Sequence, residues 1–180
     1  MIFTKNYYDK KEKNMEIKIA NLNDANDILK IINQAKIYMK ENNLNQWNEN
    51  YPNIETIHSD IENQVNYILF DKEKVIGTFV LIFGEDETYK NIEGSWKTNL
   101  SYGTLHRVAI HNDYKGKNLA KIILDFSIEK SLEKHIHSIR IDTHENNLSM
   151  KKFIEKSNFD YCGVIYVDDG TPRIAFEKTF

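Results

Sequence analysis

The spacing of hydrophobic residues changes several times along the chain, and each change marks an element. Ile17 and Ile19 alternate with charged neighbours over residues 16–20, the period-two pattern of a half-buried strand. Ile28, Leu29, Ile31, Ile32, Ala35 and Ile37 then recur at near-helical spacing, so residues 25–40 are predicted to be an amphipathic helix, capped by Asn23 or Asp24. Pro52 and Asn53 interrupt the chain, and Ile54, Ile57 and Ile61, at i, i+3 and i+7, predict a second helix over 54–64. Residues 65–70 and 75–83, joined by the polar turn Asp71-Lys72-Glu73-Lys74, read as a hairpin. A polar, loop-like stretch over 84–95 follows. Next come a strand at 102–110, a long helix at 116–134, a strand at 138–143 and a helix at 149–156. The chain ends in a second hairpin, 161–167 and 173–178, whose turn holds Asp169-Gly170.

The predicted order is β-α-α-β-β-β-α-β-α-β-β. Strands and helices mix without strict alternation, which points to an α/β (mixed α+β) fold with a mixed sheet and helices on both faces. With 180 residues, no internal repeat and no linker, a single domain over 15–180 is expected, after an N-terminal extension at 1–14.

Composition narrows the function classes. The net charge of −3, with lysines and acids interspersed, provides no basic field to attract nucleic acid. No apolar run is long enough to span a bilayer, so no membrane partner is expected. Cys162 is the sole cysteine; a lone thiol fits a reducing compartment, and the chain is expected in the cytoplasm. Six histidines are present, and His135 and His137 form a suggestive pair, but no third ligand stands at metal-site spacing, so no metal is expected.

Residues 105–120, LHRVAIHNDYKGKNLA, carry the chemistry. They read as a strand, a short loop with Gly116, and the start of a helix. Unpaired N–H groups and a partial positive charge at a helix N-terminus suit an anionic group, and Lys115 and Lys117 add charge nearby.

This stretch resembles the acyl-CoA-binding motif of the GCN5-related N-acetyltransferases, in which a strand of the RVAV type leads into Arg/Gln-x-x-Gly-x-Gly/Ala. Val108-Ala109-Ile110 is similar to the strand end. Lys115 stands where Arg or Gln is usual, Asn118 replaces the middle Gly, and Ala120 fits the last position. Residues 147–159, NLSMKKFIEKSNF, resemble the later motif, an Asn before a helix that ends in Gly-Phe, with Asn158 in place of the Gly. Asparagine tolerates the left-handed backbone expected at both departures. The resemblance runs over about 16–178.

It implies a twisted, mostly antiparallel sheet with a V-shaped splay between 102–110 and 138–143, and acetyl-CoA bound in the splay. Val108, Ala109, Ile110, Lys115, Gly116, Lys117, Asn118, Leu119, Ala120 and Asn147 would contact the cofactor, one strand N–H polarising the thioester carbonyl. The implied reaction is acetyl transfer to a primary amine of a small molecule or peptide. The glutamate base of several relatives corresponds to Thr104, and the tyrosine acid of many corresponds to Ile154. His106, two residues along the same strand face, is the candidate base; Tyr161 or Tyr102 is the candidate acid. Trp47 and Tyr51 are expected beside the acceptor, with Tyr89 and Trp96 flanking the long loop and Asp142 placed to hold an ammonium. The empty positions at Thr104 and Ile154 motivate a second reading, a catalytically silent CoA-binding sensor or interaction module. Acceptor identity and homodimer formation are left open.

Overall fold

The computed structural model describes residues 15–180; the expected extension at 1–14 lies outside the described residues. In chain order the elements are β1 (Met15–Ile19), α1 (Ala25–Glu41), α2 (Ile54–Glu62), β2 (Asn66–Asp71), β3 (Lys74–Phe83), β4 (Glu93–Gly94), β5 (Gly103–Ile110), α3 (Leu119–Glu133), β6 (Ser138–Thr143), α4 (Leu148–Lys156), β7 (Asp160–Tyr166) and β8 (Pro172–Thr179). The strands form one eight-stranded sheet in the order β1-β2-β3-β5-β6-β8-β7-β4. Every neighbouring pair is antiparallel except β5 and β6.

That parallel pair is short. Only Gly103–Ile139 and Thr104–Arg140 are in register, although β5 continues to Ile110 and β6 to Thr143. Beyond Thr104 the two strands part, and the expected splay is present. On one face α1 and α2 pack over the first half of the sheet, burying Ile28, Ile31, Ile32, Ile57 and Ile61 against Ile68 and Ala109. On the other, Ile123 and Leu124 of α3 and Ile154 of α4 pack on Phe79, Leu105, Ile139 and Ile141. Each such fully buried side chain contributes about 1.5–3 kcal/mol of hydrophobic stabilisation.

Three boundaries differ from the sequence pattern, each for a local reason. The expected helix at 116–134 begins at Leu119, because Gly116 (φ +77°) and Asn118 (φ +61°) take left-handed backbone that a helix does not admit. The N-cap position of α1 is Asp24, but its side chain makes no capping hydrogen bond to α1; the side-chain cap lies one turn earlier, where Asn21 caps the short 3₁₀ turn Leu22–Asp24, accepting from the Asn23 N–H at 3.0 Å while the Asp24 carboxylate accepts from the Asn21 N–H at 2.9 Å. The polar stretch at 84–95 contains the short strand β4, paired with β7. There Gly94 and Gly163 approach so closely that a Cβ on Gly94 would lie 2.1 Å from the Cys162 carbonyl oxygen, and one on Gly163 2.2 Å from that of Glu93.

The segment between β3 and β5 covers the half of the sheet that α1 and α2 leave open. Glu177, fully buried on β8, fastens it: its carboxylate accepts from the Lys97 N–H at 2.6 Å, from the Thr98 N–H at 3.2 Å and hydroxyl at 2.9 Å, and from the Ser138 hydroxyl. Arg140 lies 3.4 Å from the same carboxylate, between the rings of Trp96 and Tyr102.

Candidate active site

The splay opens into a cleft of about 1230 Å³ that reaches from the start of α3, along β5, to the segment between β3 and β4. Its position follows from two irregularities in β5. The first is a bulge against β3: Thr78 pairs with Ala109 but Val80 with His106, so β5 carries one extra residue, and Arg107 sits there at φ +50°. Leu105 and Val108, three apart, consequently pack toward α3, while Arg107 points to α2. Its guanidinium donates to both Asp60 oxygens, at 2.9 and 2.7 Å, and to the Tyr51 hydroxyl at 2.8 Å. Burial lifts the Asp60 carboxyl, against the pull of Arg107.

The second is the loss of β6 as a partner after Thr104. The His111 N–H donates back to Ile76 on β3 at 2.9 Å, so by strand alternation the Ile110 N–H points the other way, into the splay. At the end of β5 the chain passes through Lys115 and Gly116 to the first turn of α3, where the Lys121 N–H bonds back to the Asn118 carbonyl at 3.0 Å and the N–H groups of Leu119 and Ala120 come before the helical ladder begins. A Cβ on Gly116 would meet nothing within 4 Å. The Lys115 ammonium stands over the Tyr38 ring at 4.9 Å, and burial lowers its pKa. An open strand edge leading to a glycine loop and a free helix N-terminus fits a long thioester cofactor with a phosphate group.

At the other end of the cleft three acidic or basic side chains meet. His106 Nε2 lies 3.0 Å from Asp86 Oδ2, and His106 Nδ1 lies 3.9 Å from Asp142 Oδ1. Asp86 is fixed in turn: its Oδ1 accepts from the Thr88 N–H at 3.0 Å and hydroxyl at 2.6 Å, and its own N–H donates to the Tyr102 hydroxyl at 3.0 Å. Burial opposes ionisation of Asp86, but hydrogen bonds from His106 and Thr88 outweigh it and hold the carboxyl at about 2. The buried Tyr89 hydroxyl donates to Asp142 Oδ1 at 2.8 Å. Burial, then the charge of Asp142, raise the Tyr89 pKa well above the usual phenol range and keep it a donor.

Of the residues singled out in the sequence, His106, Val108, Ala109, Ile110, Lys115, Gly116, Asn118, Leu119, Ala120, Asn147, Trp47, Tyr51 and Asp142 line this cleft. Lys117 and Tyr161 are not among its lining residues. The Lys117 ammonium lies over the Tyr114 ring at 4.4 Å, and Tyr161 is 57% exposed on β7, its ring against Phe176. Tyr161 is thus kept from His106 by the outward direction of its side chain on β7. Tyr102 is buried and occupied with Asp86 and Arg140. The Asn147 side chain is also engaged: its oxygen caps α4 through the Met150 N–H at 3.1 Å and its amide donates to Gln46 at 3.0 Å. Ile154 is core, and Thr104 is buried with its hydroxyl unpartnered.

Asp86 was not foreseen. It is 20 residues from His106 in a polar stretch, and its local pattern, Asp86-Glu87-Thr88, signals only a turn. Among the described residues no helix is long and apolar enough to cross a membrane, and no three His, Cys, Asp or Glu side chains are grouped to hold a metal ion.

The family model described as the acetyltransferase (GNAT) family matches residues 30–159. Among solved structures, a GNAT-family acetyltransferase from Streptococcus agalactiae is 32% identical and superposes with a TM-score of 0.84, over 92% of this chain and 95% of that one. One from Listeria monocytogenes is 17% identical, with a TM-score of 0.71 over 92% and 95% of the two chains. The yncA protein of Salmonella typhimurium, solved with its cofactor acetyl-CoA, is 15% identical, with a TM-score of 0.65 over 92% and 94%. At such identities the last two share the fold. No functionally curated protein matches the chain. The family match over most of the length, the splayed strands and the cleft between them agree: this chain belongs to the GNAT family of acetyltransferases.

Proposed function

We propose that the chain is an acetyl-CoA-dependent N-acetyltransferase acting on a primary amine of a small molecule or peptide, with His106 as the base and Asp142 as the group that holds the acceptor. The observation that carries this reading is the position of His106 and Asp142, 3.9 Å apart, in the same cleft as the open edge of β5 and the start of α3. The outer edge of Val108–Ile110, the Lys115–Gly116 loop and the first turn of α3 would hold the cofactor. When bound, acetyl-CoA supplies an electrophilic acyl carbonyl and a thiolate leaving group that ends the turnover as free CoA. A free amine of pKa about 10 is mostly protonated at neutral pH, so the chain's own work is to take one proton from it. His106 lines the cleft and is in reach of a nitrogen held by Asp142. Trp47 and Tyr51 stand on the wall between α1 and α2, where they would contact the body of the acceptor.

The test is thiol release from acetyl-CoA across a panel of primary amines. A productive amine should lose kcat/KM by about 10²- to 10⁴-fold in His106→Ala, with acetyl-CoA affinity retained. Equal turnover in the variant removes His106 as the base. Acetyl-CoA binding without thiol release for any amine favours the silent CoA-binding module instead.

A further inference from the structure

His106 has two ring nitrogens, and its surroundings distinguish them. Asp86, held at about 2, is a carboxylate at neutral pH and accepts only. The 3.0 Å contact to His106 Nε2 is a hydrogen bond only if Nε2 carries the hydrogen. In the neutral ring the lone pair then falls on Nδ1. That atom faces Asp142 Oδ1 at 3.9 Å, too far for a direct hydrogen bond, and Oδ1 already accepts from Tyr89. Two acceptors therefore face one gap in the wall of the cleft, and a group with several N–H donors would satisfy both. An alkylammonium has three. Among the other charged side chains of the cleft, Arg107 is committed to Asp60 and Tyr51, and Asp60 to Arg107.

Resting on the reading of His106 as the base, we infer that Asp86 is a positioning residue that locks His106 as the Nε2–H tautomer, making Nδ1 the atom that takes the proton from an ammonium shared with Asp142. In that step an N–H bond of the ammonium breaks and an Nδ1–H bond forms. The neutral amine is left with its lone pair, and the proton passes to solvent when the ring is next deprotonated. Asp86 acts through the ring, by the hydrogen bond to its Nε2. It is well supported for the task, since Thr88 holds its other oxygen and Tyr102 its backbone.

Asp86→Asn offers a directional test. The oxygen of the substituted amide would keep the Thr88 hydrogen bonds, leaving its N–H₂ group facing His106 Nε2. A donor there favours the opposite tautomer, with the hydrogen on Nδ1. Nitrogen-15 NMR of histidine-labelled protein, at a pH where the rings are neutral, reads the tautomer without any acceptor, and His106→Gln assigns the resonance by its disappearance. The expected result is Nε2–H in the wild type and a move to Nδ1–H in D86N, with an unchanged backbone amide spectrum elsewhere. With a productive amine, kcat should fall about 10- to 100-fold in D86N while KM changes little. A wild-type ring found as Nδ1–H, or a tautomer unmoved by D86N, overturns the inference. These outcomes are separable from failure of the base itself, which shows as full turnover in His106→Gln whatever the NMR spectrum reports.

Discussion

Asp86 at about 2, against an ordinary value of 3.8, makes one side chain a measurable part of acid stability. A carboxyl whose folded value is depressed stabilises the fold above its unfolded value and loses that contribution as pH falls through the folded one. The window here lies between about pH 4 and pH 2. Allowing for screening at a partly exposed pair, the contribution is about 1–2 kcal/mol. Urea unfolding at pH 5 and at pH 2.5 should show the stability gap between wild type and Asp86→Asn narrowing by roughly two-thirds of that amount at the lower pH, where the folded carboxyl is still mostly ionised; a constant gap would mean that Asp86 is not held down by His106 and Thr88. Single residues of this kind are where the sequence was least informative. His106 could be named from its place on a strand face, but its partners come from a turn 20 residues earlier and a strand 36 residues later, and no local period encodes either.

Among elements, the segment between β3 and β5 matters most for the site, because it brings Asp86 and Tyr89 to His106 and Asp142. Little of it is regular structure. It is held by the β4–β7 pairing, which needs both Gly94 and Gly163, and by Glu177. Burial works against the Glu177 charge, but Ser138, Arg140 and Thr98 outweigh it and lower its pKa. Glu177→Gln would leave Arg140 buried without its counter-charge, an arrangement that typically costs about 3–5 kcal/mol. The expected result is a lower urea midpoint and, since Lys97 and Thr98 lose their anchor, faster amide hydrogen exchange over 86–98 than over α3. Exchange accelerated equally throughout would show that Glu177 supports the fold without any particular hold on this segment. Regular elements, by contrast, were legible in the sequence: the helices α1, α2 and α4 and both hairpins follow apolar spacing and turn residues. β4 was not, since two residues cannot establish a period.

For the whole molecule, the open edge of β5 and the N-terminus of α3 line the cleft together with residues of α1, β6 and α4, so ligand binding there should act on global stability. Acetyl-CoA at about 100 times its Kd would stabilise the fold by about 2.7 kcal/mol. For a domain of this size that corresponds to a Tm higher by about 5–10 °C. A Tm unmoved by acetyl-CoA and by CoA would remove the cofactor assignment and everything built on it. Gly116 offers a control, because a Cβ there meets no neighbour and the cost of Gly116→Val falls on the left-handed backbone of the cradle alone. By itself the sequence determined the order of elements apart from β4, the mixed α/β class, and the strand–loop–helix at 105–120 that resembles a CoA cradle, because periodicity and turn chemistry act over neighbouring residues. It also placed Asn118 and Asn158 correctly in left-handed backbone, at φ +61° and +54°. Only the tertiary structure decided which side chains meet across the splay. It turned Arg107 to Asp60 through a bulge, used Asn147 within the fold, left Tyr161 outside the cleft, and set Asp86 against one nitrogen of His106. Those outcomes depend on strand register and on the path of a loop, which follow from the packing of the whole sheet rather than from any one segment.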